Sequence, residues 1–215
     1  MLSFLFPPKC VLCGKLLPRN ETDMCRNCRE NQPEFYATKR KIPFVAHWAA
    51  IWYYSSNVRQ SIHKFKFYGV RSYSAAFGRL LAMRLTKDTA FHYDMVSWIP
   101  TTTLRRLRRG YDQSQLLANA ICQELHTPLI CVLRRTRNTP PQSLLGDASQ
   151  RRANVLGAFK PVHPENYIGK RVLLVDDVVT TGATASECAK TLLMAGAAEV
   201  HLVALAATSH DKSSR

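Results

Sequence analysis

Apolar residues along the chain fall into two kinds of pattern, short unbroken runs and stripes at helical spacing. Trp48 to Tyr54 is a run of aromatic and aliphatic residues that predicts a strand. Tyr73, Phe77, Leu80, Leu81 and Leu85 recur at helical spacing, with Arg84 at the edge of the stripe. Met95 to Ile99 predicts a short strand stopped by Pro100, and Leu117, Ala120, Ile121 and Leu125 mark the apolar face of a second helix. Val172 to Val175 is continuously apolar, as expected of a strand buried on both faces. Ala185, Cys188, Ala189, Leu192 and Leu193 predict a third helix, capped by Gly196, and Val200 to Ala206 a further strand. Between Ile62 and Tyr68, the alternation of Phe65 and Phe67 with lysines reads as a half-buried strand. From about residue 95 onward strands and helices alternate, which predicts an α/β fold with a parallel sheet flanked by helices. No internal repeat is visible.

The first thirty residues do not share this pattern. Cys10-x-x-Cys13 and Cys25-x-x-Cys28 are separated by an eleven-residue loop. Each short loop aims two thiolates at one tetrahedral ion, and Gly14 suits the tight turn after Cys13. The spacing predicts a structural zinc site on Cys10, Cys13, Cys25 and Cys28, because four thiolates leave no open coordination position. Seven cysteines, four of them before residue 29, fit a reducing compartment better than a disulfide framework. Cys122, Cys131 and Cys188 read as small buried hydrophobes. Residues 29–43 turn polar around Pro33, Pro43 and the run Lys39 to Lys41. The expected organisation is a zinc-binding knuckle over 1–32, a linker over 33–44 and the α/β domain over 45–215.

Composition narrows the partners. Thirty Lys and Arg against fifteen Asp and Glu give a formal charge of +15, so the expected partner is anionic: nucleic acid, a phosphorylated small molecule or a membrane surface. Hydrophobic residues at 46% exclude a disordered chain. No apolar run reaches the length of a bilayer span, and Pro7, Pro8 and Lys9 interrupt the opening before a signal-peptide core forms, so a cytoplasmic location is expected.

The densest chemistry lies in Val172-Leu-Leu-Val-Asp176-Asp177-Val-Val-Thr180-Thr181-Gly182-Ala183-Thr184. A strand that ends in two carboxylates and runs through a Thr-Gly turn into a helix sets anions and backbone N–H groups at the carboxyl edge of a sheet, where open α/β folds bind ligands. The helix start and the hydroxyls of Thr180, Thr181 and Thr184 suit a terminal phosphate, and Gly182 permits close approach. Asp176 and Asp177 suit sugar hydroxyls or a magnesium ion. A P-loop nucleotidase also carries an acidic strand end, but its Gly-rich lysine motif does not occur in the chain. The plainer alternative is a strand-loop-helix turn in which Thr180 or Thr181 caps the helix and both aspartates face water.

Between Arg105 and Arg152 nine arginines and no lysine face Asp112, Glu124 and Asp147, a net +6 that suits bidentate phosphate contacts by residues such as Arg109 and Arg134. Pro100 and Thr101 open a loop that reads equally as an anion-binding turn or an ordinary strand-to-helix connection. The polar segment from Arg134 to Asn154, punctuated by Pro140 and Pro141, reads as a catalytic lid or a surface loop.

The Asp176 to Thr184 segment resembles the phosphoribosyl pyrophosphate (PRPP) signature of type I phosphoribosyltransferases. That resemblance implies Asp176 and Asp177 on the ribose hydroxyls and Thr180, Thr181, Gly182, Ala183 and Thr184 around the 5′-phosphate, with Pro100 and Thr101 in the pyrophosphate loop. The order of the Cys-x-x-Cys pair, Ile62-His-Lys-Phe-Lys-Phe67, Arg109-Gly-Tyr-Asp-Gln113, Pro141-Gln142, Arg152-Ala-Asn154 and the signature is similar to that of the ComF family of competence-associated proteins, from Cys10 to about Ala206. Asp112 departs from that pattern, which carries asparagine there. The resemblance implies a type I phosphoribosyltransferase-like sheet, structural Zn2+, Mg2+ with PRPP, and a role in DNA uptake or single-stranded DNA processing during natural transformation alongside competence machinery.

Two functions follow as expectations. The first is a phosphoribosyltransferase that releases pyrophosphate, with Asp177 the better candidate for general base; its nearest variant is an enzyme of nucleotide metabolism with no DNA role. The second is a nucleic-acid binding module in which Phe65-Lys66-Phe67-Tyr68 stacks bases between phosphate contacts, unless those aromatics are core. The histidines at 47, 92, 126, 163 and 210 lie outside any ligand spacing, and no role is assigned to His63.

Overall fold

A computed structural model of the chain describes residues 7–35, 40–67, 72–137 and 153–209. Four parallel strands form the main sheet in the order β1 (His47–Tyr53), β6 (Glu199–Ala207), β5 (Arg171–Val179) and β2 (Met95–Trp98). Parallel neighbours need crossovers, and the helices supply them: α2 (Ser56–Phe67) and α3 (Tyr73–Lys87) between β1 and β2, then α4 (Thr103–Arg109) and α5 (Gln113–Leu125), and finally α6 (Ala183–Met194) between β5 and β6. A small antiparallel pair, β3 (Leu133–Arg135) and β4 (Phe159–Pro161), stands apart from the sheet. The predicted α/β architecture is present.

The period of two along the strands divides the interior into two halves. Leu173 and Val175 of β5 join Val203 and Leu205 of β6 on the face covered by α2, α3 and α5, with Ile62, Phe65, Phe77, Leu117 and Ile121. Val172 and Leu174 join Leu202 and Ala204 on the other face, with Cys188 and Leu192 of α6 and Leu133 and Phe159 of the small sheet. Burial of side chains this large contributes roughly 1.5–3 kcal/mol each, which fixes the sheet between its helices.

Two expected boundaries differ. Residues 62–67 are helical rather than a strand, because Val58, Ile62 and Phe65 repeat at helical spacing over twelve residues and outweigh one Phe-x-Phe alternation. Strand β5 does not end in its carboxylates. Asp176 pairs with Ala204 and the ladder continues to Val179 beside Ala207, whereas β2 ends at Trp98 opposite Val175. The two acids therefore sit within the strand, at the level where its β2-side neighbour has ended.

The N-terminal segment packs onto this body. Cys10, Val11, Leu12, Leu17, Met24 and Cys28, the last on helix α1 (Arg26–Asn31), belong to the same core as Phe65 and Phe77. Ser61 of α2 donates to the Val11 carbonyl, and Arg79 of α3 clasps Asp23, its Nε 2.9 Å from Oδ2. Within residues 33–44, expected as a linker, Phe35 and Ile42 are buried against the second core half with Trp48. No helix among the described residues is long and apolar enough to cross a membrane.

Candidate functional site

Asp176 and Asp177 face cations and hydroxyls contributed by several elements. Asp176 accepts the Ser114 hydroxyl of α5 at 3.2 Å and the Asp177 N–H at 2.8 Å. Asp177 pairs with Lys66 Nζ at 2.7 Å, and both side chains are mostly covered, 13% and 21% exposed. Burial, followed by the charge of Asp177, pushes the Asp176 carboxyl up to about 7. Asp177, the expected base, has its Oδ1 engaged by Lys66, and Asp176 is the carboxyl raised toward neutral pH.

Three arginines crowd the same space. Arg105, Arg109 and Arg135 are each held below the ordinary guanidinium value, first by burial. Arg105 also feels the positive charge of Arg135 and Arg109, while Asp177 draws Arg105 and Arg109 back up and Asp176 does the same for Arg135. Mutual repulsion among half-buried cations leaves a positive field that an anion relieves. Arg109 is further fixed by Gln113 Oε1 at 2.8 Å and lies over the Phe67 ring at 4.6 Å. Arg134 is exposed on β3, whereas its neighbour Arg135 is half-buried over the Phe159 ring and feels the charge of Asp176.

The turn after β5 has the expected shape. Gly182 stands at the N-terminus of α6 with φ 78, and an added Cβ there would lie 3.0 Å from Ile42 and 3.3 Å from Arg40. Thr181 Oγ1 accepts from the Ala183 N–H at 3.3 Å, a local turn contact just before the helix. The Thr180 carbonyl is held by Arg40 Nη2 at 2.5 Å and by the Thr208 hydroxyl at 3.2 Å. Ala183 and Thr184 open the helix beside it. The Pro100 loop is less open than its sequence suggests. The Thr101 N–H donates to Asp112 Oδ2 at 2.8 Å, and Thr102 caps α4 by accepting from Arg105.

Asp112 explains its own departure from the asparagine pattern. It caps α5 through Oδ1, taking the Ser114 and Gln115 N–H groups, while Oδ2 ties down the Thr101 turn, so both carboxylate oxygens accept. Asparagine has one oxygen for this work. Burial raises the Asp112 carboxyl, against the pull of those N–H groups. Beside it a cleft of about 430 Å³ is lined by Arg106, Leu107, Gly110, Tyr111, Gln115 and Leu116.

Sequence reasoning missed Lys66 as a partner of the acid pair, together with Ser114, Arg135 and Arg40. Lys66 and Ser114 lay inside or beside quoted motifs, yet nothing in one dimension pairs residue 66 with 177. Residues 138–152, including Pro141, Gln142 and Arg152, lie outside the described residues, as do Tyr68 and His210.

In the N-terminal segment the four cysteine sulfurs lie within 4.8 Å of one another, with Cys13 Sγ and Cys25 Sγ 3.7 Å apart. Sulfurs about 2.3 Å from one tetrahedral ion stand about 3.8 Å from each other, so the cluster could hold a metal ion. Burial opposes ionisation of the Cys10 thiol, but N–H groups of Cys13, Cys25 and Leu12 point at it and bring it down to about 7.

The phosphoribosyl transferase domain family matches residues 112–215. Over 205 residues the chain is 32% identical to DNA utilization protein YhgH of Escherichia coli O157:H7, a match spanning 93% of this chain and 84% of that protein. Competence protein F of Haemophilus influenzae is 30% identical over the same length, with the same coverage of both chains. A glutamine PRPP amidotransferase from B. subtilis superposes with a TM-score of 0.42 at 24% identity, over 63% of this chain and 26% of that one. Identity of this order along nearly the whole length, with the acid pair and its Thr-Gly turn inside the matched domain, makes the chain a member of the ComF family of competence and DNA utilization proteins, built on a phosphoribosyltransferase-type domain.

Proposed function

We propose that the protein binds PRPP and acts as a phosphoribosyltransferase in the handling of DNA. One observation carries the reading: an acid pair, covered and charge-compensated, lies where β5 has outrun β2, between a Thr-Gly helix start and a set of crowded arginines. Asp176 and Asp177 would meet the ribose hydroxyls, Thr180 to Thr184 the 5′-phosphate, and Arg105, Arg109 and Arg135 the pyrophosphate. Their positive field favours departure of pyrophosphate from the anomeric carbon, and Asp176 is the group suited to take the acceptor's proton. The hard oxygens of Asp176 and Asp177 would suit a magnesium ion, which would supply further charge neutralisation with PRPP bound. Zinc on the four thiolates is structural.

The DNA side of the proposal rests on the +15 charge and on the names borne by the relatives. Of the stacking motif, Phe65 is core and Phe67 is 56% exposed beneath Arg109, so among the described residues Phe67 is the aromatic left to meet a base. Calorimetric titration with PRPP and magnesium tests the first part. Binding should weaken about 10- to 100-fold in Asp176→Ala, the range of one hydrogen bond to a charged group. A wild-type protein that takes up no PRPP, or a variant that binds equally well, overturns it. In the same titration a single-stranded oligonucleotide should compete, steeply less so as salt rises.

A further inference from the structure

Lys66 pairs with Asp177 of β5, and its placement is fixed from several sides. It sits in the last turn of α2. Its neighbour Phe65 is fully buried, and the Phe65 carbonyl accepts the Tyr111 hydroxyl. Five residues back, Ser61 is tied to the Val11 carbonyl. On the other side Phe67 carries Arg109 over its ring. Lys64 of the same helix is exposed, so the covered position at 66 is set by the helix and not by a general basic face.

We infer that Lys66 is a tethered counter-ion that competes with divalent metal for Asp177. Two adjacent carboxylates of a strand attract a hard cation, and the ammonium of lysine is a compact charge able to take that role. With Nζ 2.7 Å from Oδ1, the ligand-free site is already compensated, and a metal ion entering it must displace the lysine. The ligand-free protein therefore takes up divalent metal weakly, and metal arrives together with the anion that draws Lys66 away. This rests on the phosphoribosyl reading for the identity of that anion, but not for the competition itself.

The test is Mn2+ binding to the protein with zinc on its cysteine cluster and no PRPP, monitored by electron paramagnetic resonance of the free ion. Lys66→Met should bind Mn2+ at least about tenfold more tightly than wild type, the change expected when about 1.4 kcal/mol of competition is removed. Lys66→Arg should stay close to wild type, and adding Asp177→Asn to Lys66→Met should abolish the gain. Lys66→Gln, of similar length and uncharged, gives the same comparison if the methionine variant does not fold. Equal binding by wild type and both uncharged variants, or a gain that survives Asp177→Asn, overturns the inference. Failure of wild type to bind PRPP would end the phosphoribosyl reading and leave this result standing.

Discussion

At the scale of single residues the most consequential group is Asp176. Its carboxyl is raised to about 7 by burial and by Asp177, well above the value of an unfolded aspartate. A raised carboxylate binds its proton more tightly in the folded state, so it costs stability once pH exceeds the unfolded value. That cost grows from about pH 4 until the folded group itself ionises near pH 7, and then levels off. Stability therefore falls as pH rises through this window. Asp176→Asn keeps an acceptor for Ser114 but removes the cost, so its melting temperature should exceed wild type by several degrees at about pH 8, taking about 2–4 °C per kcal/mol, with the gain vanishing near about pH 4. Melting curves at the two pH values check it; an equal gain at both would point to packing instead. The residue types of this site were legible in the chain because two aspartates and three threonines around Gly182 are chemically conspicuous. Which arginine joins them was not. On a strand a shift of one residue turns a side chain to the other face, so Arg134 and Arg135 are indistinguishable until the register of β3 with β4 is known.

The elements are held by a contact that only glycine permits. Gly78 lies in α3 where α5 crosses, and a Cβ built on it would stand 2.3 Å from the Ala120 Cβ and 3.0 Å from its carbonyl carbon. Helix propensity alone favours alanine there by about 1 kcal/mol. The clash outweighs it, since forcing an extra methyl into a packed interface costs roughly 1–3 kcal/mol and Ala120 offers backbone, not a flexible tip. Gly78→Ala should lower the melting temperature by several degrees, and Ala120→Gly should recover part of the loss in the double variant, because neighbouring sites do not add. Additive losses measured by thermal denaturation would show that the two helices do not meet there. Long patterns identified these helices and most strands correctly. The exceptions have physical causes: two phenylalanines are too few to distinguish period two from helical spacing in α2, and the length of β5 depends on β6 continuing alongside it, which its own residues do not encode.

Over the whole molecule, the cysteine cluster and the acid pair are joined through α2. Val11 holds Ser61 at one point on that helix, and Lys66, further along it, reaches Asp177. Asp23 of the cysteine segment holds Arg79 of α3, and Cys10, Val11, Leu12 and Cys28 share a core with Phe65 and Phe77. A segment so joined cannot loosen alone: releasing it exposes apolar surface of α2 and α3 and frees the backbone that positions Lys66. On the proposal that the four thiolates hold zinc, removal of the metal should therefore lower one shared melting transition and not unmask an independent one. The fall should exceed about 5 °C, because a structural zinc contributes on the order of 10 kcal/mol to isolated fingers and this segment has additional packing to fall back on. Calorimetry before and after chelation, with Cys13→Ser alongside, measures it. An upper transition unchanged by chelation would mean that the cysteine segment folds as an appendage, and that the ion pair at Asp177 owes nothing to it.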